Sequence, residues 1–551
     1  MISQAPAREE RLTGAPPRPL ELGLLFAAAA AISGLVMLKG MQPNDEGLML
    51  QGAARIAGGE VPYRDFWWFY PPGQPYLLAG LWEVFGPSLL TWRIVRVLVN
   101  AAVALLVYML ARRAAPRGFA LAAAAVPAVA MATPTGPHPY PVALALALGC
   151  LLVIDRSPVF AGVLIGLCAL WRIEFAAYLG LGVALGYLIR PGDGGARAAG
   201  TFALAGVVSG AALFAPVVIP AGLGPSWDLL IRYPIEDFSD YQSLPFPRIY
   251  GGGFDFGSLS AARDTIGSVL SFQVPLLLML DLAAVLAVFG LRFRRENWQL
   301  VPLAVFGVGM AHYLITRPDA FHVAPLAVTL AAPSAWILAD AWRRLAPAAR
   351  SGLRAAPGRI KLSLIPVPVI ALTMGWLVLD GVQRWERQLE SRMVPIELAV
   401  ADGARELETY NCSLPGADPV QVCTLDDLES TVRHIRSRVP EGEPIYVGTQ
   451  RSDLVTSGAP VLYVLSGRPS ATRYDIAAPG VVTSAPVQRE IISDLERRGL
   501  PLVVRWTASI TAAPEPNRAG RSTGVRLLDS FFDRRYRRSA RFGPYVVLER
   551  R

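Results

Sequence analysis

The sequence predicts an α-helical polytopic membrane protein carrying a C-terminal α/β domain. Three observations carry that reading: long apolar runs, arginines confined to alternate loops, and the loss of such runs after Val382. In a chain of 551 residues, 53% are hydrophobic, only 17% are charged, and the mean hydropathy is +0.39. A soluble protein of this length would distribute its apolar residues in short amphipathic periods. Here they stand in stretches such as "LVNAAVALLVYML" and "VPLLLMLDLAAVLAVFGL". Runs of about 20 residues match the thickness of a bilayer, and by that criterion the sequence holds about eleven. They fall near 20–40, 90–111, 118–133, 139–154, 158–171, 173–190, 199–220, 268–290, 298–316, 322–341 and 361–380. The first exceeds a signal-peptide core and no small-residue cleavage site follows it, so it is taken as a span behind a polar tail, residues 1–19.

The basic excess, net +9, follows the spans rather than a nucleic-acid face. Arg8, Arg11 and Arg18 precede the first run; Arg112, Arg113 and Arg117 follow the second; Arg190 and Arg197 follow the sixth. Arg292, Arg294 and Arg295 follow the eighth, and a further basic cluster, Arg343 to Lys361, separates the last two. Basic residues on alternate loops predict a multi-pass protein of the plasma or inner membrane with a cytoplasmic N-terminus. Loops 41–89 and 221–267 then face outward, as does everything beyond the membrane module, residues 20–385.

Residues 386–551 read as the exterior α/β domain. "EPIYVG" and "LPLVVRW" have strand character, and "SAPVQREIISDLERRG" reads as an amphipathic helix closed by Gly499. The basic tail around Arg534, Arg535, Arg537, Arg538 and Arg541 reads as a solvated helix face. Of the four cysteines, Cys150 and Cys168 sit in apolar runs as packing residues. Cys412 and Cys423 lie in the exterior domain, where an oxidising compartment favours a disulfide. "NCS" at Asn411 fits the glycosylation-acceptor pattern weakly, and no CxxC points to zinc.

Polar chemistry concentrates in the outward loops. The first runs "NDEGLMLQGAARIAGGEVPYRDFWWFYPPGQPYLLAGLWEVFGPS". Asn44 is placed to cap a helix whose first turn holds Asp45 and Glu46 and which Gly58 and Gly59 end. "PYLLAGLWEVFG" reads as a second helix, both lying on the membrane surface, with "FWWFY", including Trp67 and Trp68, as an interfacial belt. Acidic residues in a first turn are favoured by the helix dipole alone. Further groups converge from other outward junctions: Arg64 and Asp65 in the same loop, His138 and Tyr140, Arg172 and Glu174, and Arg317, Asp319 and His322. A charge at bilayer depth costs about 2.5–3.5 kcal/mol on insertion scales, so such residues face a cavity or each other. There is no P-loop, GxGxxG, HExxH or GxSxG motif; "IYGGGFDFG" lacks the Lys-Ser/Thr that phosphate cradling needs.

The stretch "NDEG…GGEVPYRDFWWFYPPGQPYLLAGLWEVFG" resembles the first exterior loop of GT-C-fold integral-membrane glycosyltransferases. The nearest branch is that of the bacterial relatives of protein O-mannosyltransferases, aminoarabinose transferases and Rgt-type lipopolysaccharide glycosyltransferases, and the resemblance covers roughly residues 20–380. It implies transfer of a sugar from a polyprenyl-phosphate donor to a glycan, lipid or protein acceptor at the outer membrane face. Asp45 matches the family's catalytic Asp, a general base, and Glu46 its acidic neighbour. Tyr70-Pro71-Pro72 matches the Pro-Pro step, but Phe69 and Tyr70 stand where aminoarabinose transferases carry Glu-Lys. Arg64, Asp65, Tyr70, His138, Arg172, Glu174, Arg317 and His322 are the candidates for substrate and donor phosphate. No residue spacing demands a metal; carboxylates would accept Mg or Mn. The competing readings are a transporter or flippase of a lipid-linked saccharide, and a membrane-anchored binding or assembly protein.

Overall fold

The computed structural model describes residues 17–39, 43–132, 138–247, 255–292, 298–350, 366–390 and 425–551. Apolar helices occupy the predicted runs. α1 (Pro19–Leu35) is followed by two loop helices, α2 (Asp45–Ala57) and α3 (Gly73–Phe85). Then come α4 (Leu89–Ala111), α5 (Arg117–Ala130), α6 (Tyr140–Val153), α7 (Pro158–Trp171), α8 (Ile173–Ile189) and α9 (Gly195–Ala221). α4, α9, the continuous helix Leu259–Ala284 and Phe321–Arg343 are long and apolar enough to cross a membrane; six more apolar helices are shorter. The protein is a helical membrane protein.

Helix packing follows membrane rules, where small residues permit close approach because lipid offers no hydrophobic drive between helices. Gly162 and Gly166 of α7 lie against Phe202, Gly206 and Ser209 of α9, so closely that a Cβ at either glycine would overlap the facing helix. Cys168 and Cys150 are buried among apolar side chains, as packing residues are.

Several of the loop arginines among the described residues are engaged by neighbouring helices. Arg117 pairs with Glu21 of α1, Arg113 with Asp155, and Arg190 covers Trp298. One pole carries α2, α3 and a second loop that starts with a short helix, α10 (Leu223–Trp227). A π-helical stretch, Asp228–Asp237, then leads to α11 (Phe238–Gln242). Tyr233, Phe238 and Tyr241 of this second loop line a cleft beside α2.

Residues 425–551 form a small α/β unit on that pole. α12 (Leu425–Arg438) precedes β1 (Tyr446–Thr449), and α13 (Ala485–Arg498) precedes β2 (Leu502–Trp506). α13 is the amphipathic helix read from the sequence, ended by Gly499 in the left-handed region that glycine favours. The sheet order is β1-β2-β4-β3, with β1 parallel to β2 and the remaining pairs antiparallel. The basic tail departs from the helical expectation: β3 (Tyr536–Phe542) and β4 (Tyr545–Arg550) make a hairpin. Arg537, Arg538 and Arg541 are exposed on its edge strand. Charge on an unpaired edge opposes pairing with a second chain. Cys412, Cys423, Asn411 and Gly251 lie outside the described residues.

A second correction concerns the aromatic belt. Trp67 and Trp68 are 7% and 1% exposed, inside the core shared with the α/β unit. The unit covers them, so they anchor protein to protein rather than to lipid. The Trp67 amide donates to Arg473 O at 2.8 Å, and Arg55 of α2 pairs with Asp475 at 2.9 Å and donates to Thr472 O.

Candidate active site

Asp45 opens α2 with an accessible side chain, next to Asn44, which lines the cleft beside α2. The surrounding protein desolvates the carboxylate and raises it above the usual range. A hydrogen bond from Asn44 Nδ2, at 2.8 Å, and the charges of Arg317 and His322 oppose that rise; Asp319 reinforces it. Asn44 forms no helix-capping bond, contrary to the sequence expectation. Its Oδ1 instead accepts from the Gly458 amide at 3.0 Å. The α/β unit therefore reaches the candidate base through one side chain.

Glu46, one residue on, has no part in the cleft. It is fully buried and both its oxygens are held by Arg93 of α4, at 2.9 and 3.0 Å. Arg93 also donates to Met37 O at 2.8 Å. Successive residues on a helix point about 100° apart, so one carboxylate can face the cleft while its neighbour faces the bundle. The expected acidic helper is thus a structural residue that pins α2 to α4.

Tyr70, His138, Arg172, Glu174, Arg317 and His322 do converge. The Tyr70 phenol, raised to about 12 by burial, lies within electrostatic reach of Asp45, Arg172, Glu174 and Arg317. His138 is held down to about 3 by burial beside Arg96, Arg172 and His322, and is therefore neutral at physiological pH. It packs edge-on against Phe321. Arg172 sits in the extended hinge between α7 and α8, over the ring of Tyr313 at 5.0 Å, and pairs with Glu174 at 2.6 Å. Its Nε is buried and, among the described residues, lacks a hydrogen-bond partner. His322 Nδ1 engages Asp319 at 2.7 Å.

Arg317, though near Asp45, is also bound to the α/β unit, and Arg64 and Asp65 are engaged with each other. Arg317 makes a two-pronged pair with Glu515 of the α/β unit, at 3.0 and 3.2 Å, and pairs with Asp319 at 3.1 Å. Arg64 and Asp65 pair with each other at 2.7 Å in an exposed turn, where Asp65 also accepts from the Val61 amide. Sequence reasoning missed Arg93 and Arg96, whose signal was two arginines three apart inside an apolar run. It also missed Asn44 as a partner of Asp45. Among the described residues no three His, Cys, Asp or Glu side chains are grouped to hold a metal ion. Two carboxylates of this region are already engaged, Asp319 by Arg317 and His322, and Glu174 by Arg172.

No family model matches this chain and no curated protein matches it. Among solved structures it is similar to ArnT from Cupriavidus metallidurans bound to undecaprenyl phosphate, with TM-score 0.52 and 14% identity, over 96% of this chain and 98% of that one. The apo oligosaccharyltransferase of Archaeoglobus fulgidus matches with TM-score 0.49 and 14% identity, over 88% of this chain and 70% of that one. Arabinofuranosyltransferase AftD from Mycobacteria matches with TM-score 0.49 and 12% identity, over 97% of this chain and 42% of that one. These neighbours are glycosyltransferases of the GT-C fold, and the likeness to ArnT gives this chain that fold.

Proposed function

We propose that this chain is a membrane glycosyltransferase that moves a sugar from a polyprenyl-phosphate donor to an acceptor hydroxyl, with Asp45 as general base. The observation that carries the reading is the accessible, raised carboxylate of Asp45, within electrostatic reach of Tyr70, Arg317 and His322. A GT-C fold shared with an ArnT solved on undecaprenyl phosphate supports the donor class. The positive-inside pattern supports a cytoplasmic N-terminus and an outward cleft.

Asp45 takes the acceptor proton as the acceptor oxygen forms its bond to the anomeric carbon. The bond from that carbon to the donor phosphate oxygen breaks, and its electron pair leaves with the polyprenyl phosphate. A carboxylate raised toward neutrality is a better matched base than an ordinary one, and such a group contributes roughly 10²–10⁴ in rate. Arg172, with a buried N–H still unengaged, meets the charge that develops on the leaving phosphate. Tyr70, protonated throughout the working range, donates a hydrogen bond.

The test incubates membranes carrying the full chain with a panel of labelled polyprenyl-phosphate sugars and follows label into lipid, glycan and protein. Transfer that is lost in Asp45→Asn, with donor binding retained, supports the reading. Full transfer by Asp45→Asn refutes it.

A further inference from the structure

A cleft, open to solvent, lies between the first loop, the second loop and the α/β unit. Asn44 lines it, which sets it one residue from Asp45. Phe69, Tyr233, Phe238 and Tyr241 supply aromatic walls; Gln242 and Thr456 supply polar ones.

We infer that this cleft binds a neutral saccharide, the acceptor of the proposed transfer. Among the described residues the lining holds no Asp, Glu, Lys or Arg, so it brings no charge to meet a phosphate or an acidic glycan. Three of its aromatic rings already pack on one another: Phe69 lies tilted against Phe238 at 4.9 Å and edge-on to Tyr233 at 5.8 Å, and Trp67 backs Tyr233 at 5.3 Å. Rings held this way present flat apolar faces with little ordering left to lose on binding. Among the described residues, the hydroxyls of Tyr233 and Tyr241 have no hydrogen-bond partner, and Gln242 accepts from Arg317 while its amide N–H₂ stays available. Aromatic faces beside fixed donors suit a ring that is apolar on its faces and hydroxylated at its edge. The cleft is built from three segments far apart in sequence, so the α/β unit is part of the acceptor site rather than a cover.

This inference rests on the proposed function, and the experiment separates the two. Full-length protein in nanodiscs is exposed to a panel of neutral di- and trisaccharides, pentose- and hexose-based, and binding is read by saturation-transfer NMR. At least one saccharide is expected to bind. Ala477→Trp fills the cleft and is expected to abolish that signal. Tyr233→Phe and Tyr241→Phe keep the shape and are each expected to weaken binding about three- to tenfold, the loss of one hydrogen bond. The same nanodiscs receive the labelled donor panel. Saccharide binding that survives in Ala477→Trp, or that no member of the panel shows, overturns the cleft assignment even if transfer depends on Asp45. Cleft-dependent binding without any transfer upholds the saccharide site and defeats the transferase reading.

Discussion

Asn44 donates from Nδ2 to the Asp45 carboxylate at 2.8 Å while its Oδ1 accepts from Gly458 of the α/β unit at 3.0 Å. The hydrogen bond favours the charged carboxylate and so opposes the upward push of burial. Removing it in Asn44→Ala leaves burial less opposed, and the Asp45 carboxyl rises further. A base works only when deprotonated, so the acid-side fall of kcat/KM is expected at higher pH in Asn44→Ala than in the wild type. In the wild type it is already above the ordinary carboxylate range of about 4. A pH profile of transfer checks this; an unmoved acid limb would remove Asp45 as the titrating base.

The adjacent carboxylates should separate cleanly by experiment. Glu46 is fully buried in a two-oxygen pair with Arg93. Removing one partner of such a pair leaves an uncompensated buried charge, at a cost of about 3–5 kcal/mol. Glu46→Gln is therefore expected to lower thermal stability sharply in detergent. Asp45→Asn, on an accessible side chain, is expected to leave the melting temperature nearly unchanged while abolishing transfer. Equal melting temperatures for the two variants would contradict the assignment.

Docking of the α/β unit depends on a small residue on α2. A Cβ at Gly47 would overlap the backbone of Val461, whose amide donates to Pro43 O. Backbone cannot swing aside as a flexible side chain can, so Gly47→Val is expected to lift the unit from α2. Amide hydrogen exchange reads it directly: the Trp67 and Gly458 amides, which donate across this contact, should lose protection. Amides within β2, which pair inside the unit, should keep theirs.

The membrane helices were legible because a bilayer imposes a length and an apolar surface that need no partner to be read. Asp45 could be nominated from the sequence because a local motif surrounds it, and its proposed role as base still rests on that motif. The role of Glu46 was not, since Arg93 stands 47 residues away and only the fold brings them together. Trp67 and Trp68 have the composition of an interfacial belt, and nothing local says that a distant α/β unit will cover them. The arginine-rich tail misled for a different reason. Its burial alternates weakly along Tyr536–Phe542, and strand character is plainer in "YVVLER", whose pairing makes the tail a hairpin. The cleft was invisible because its aromatic walls come from two loops and its rim from a third segment.

The two arginines nominated for the donor phosphate are expected to behave differently. Arg172 pairs with Glu174 through one terminal nitrogen, while its Nε is buried and, among the described residues, unpartnered. Arg317 is already committed to Glu515, Asp319 and the Gln242 carbonyl. A hydrogen bond to a charged group is worth about 1.5–3 kcal/mol, roughly ten- to hundredfold in affinity. Arg172→Gln should weaken binding of undecaprenyl phosphate to the nanodisc-embedded protein by that factor, leaving the protection of the Gly458 amide intact. Arg317→Gln should do the reverse: it breaks the pair with Glu515 and loosens the α/β unit, with a smaller effect on the lipid phosphate. Titration of both variants with undecaprenyl phosphate, alongside amide exchange at Gly458, resolves the pair. Comparable loss of phosphate affinity in both would place Arg317 in the phosphate site after all, and its pair with Glu515 would then have to open during turnover.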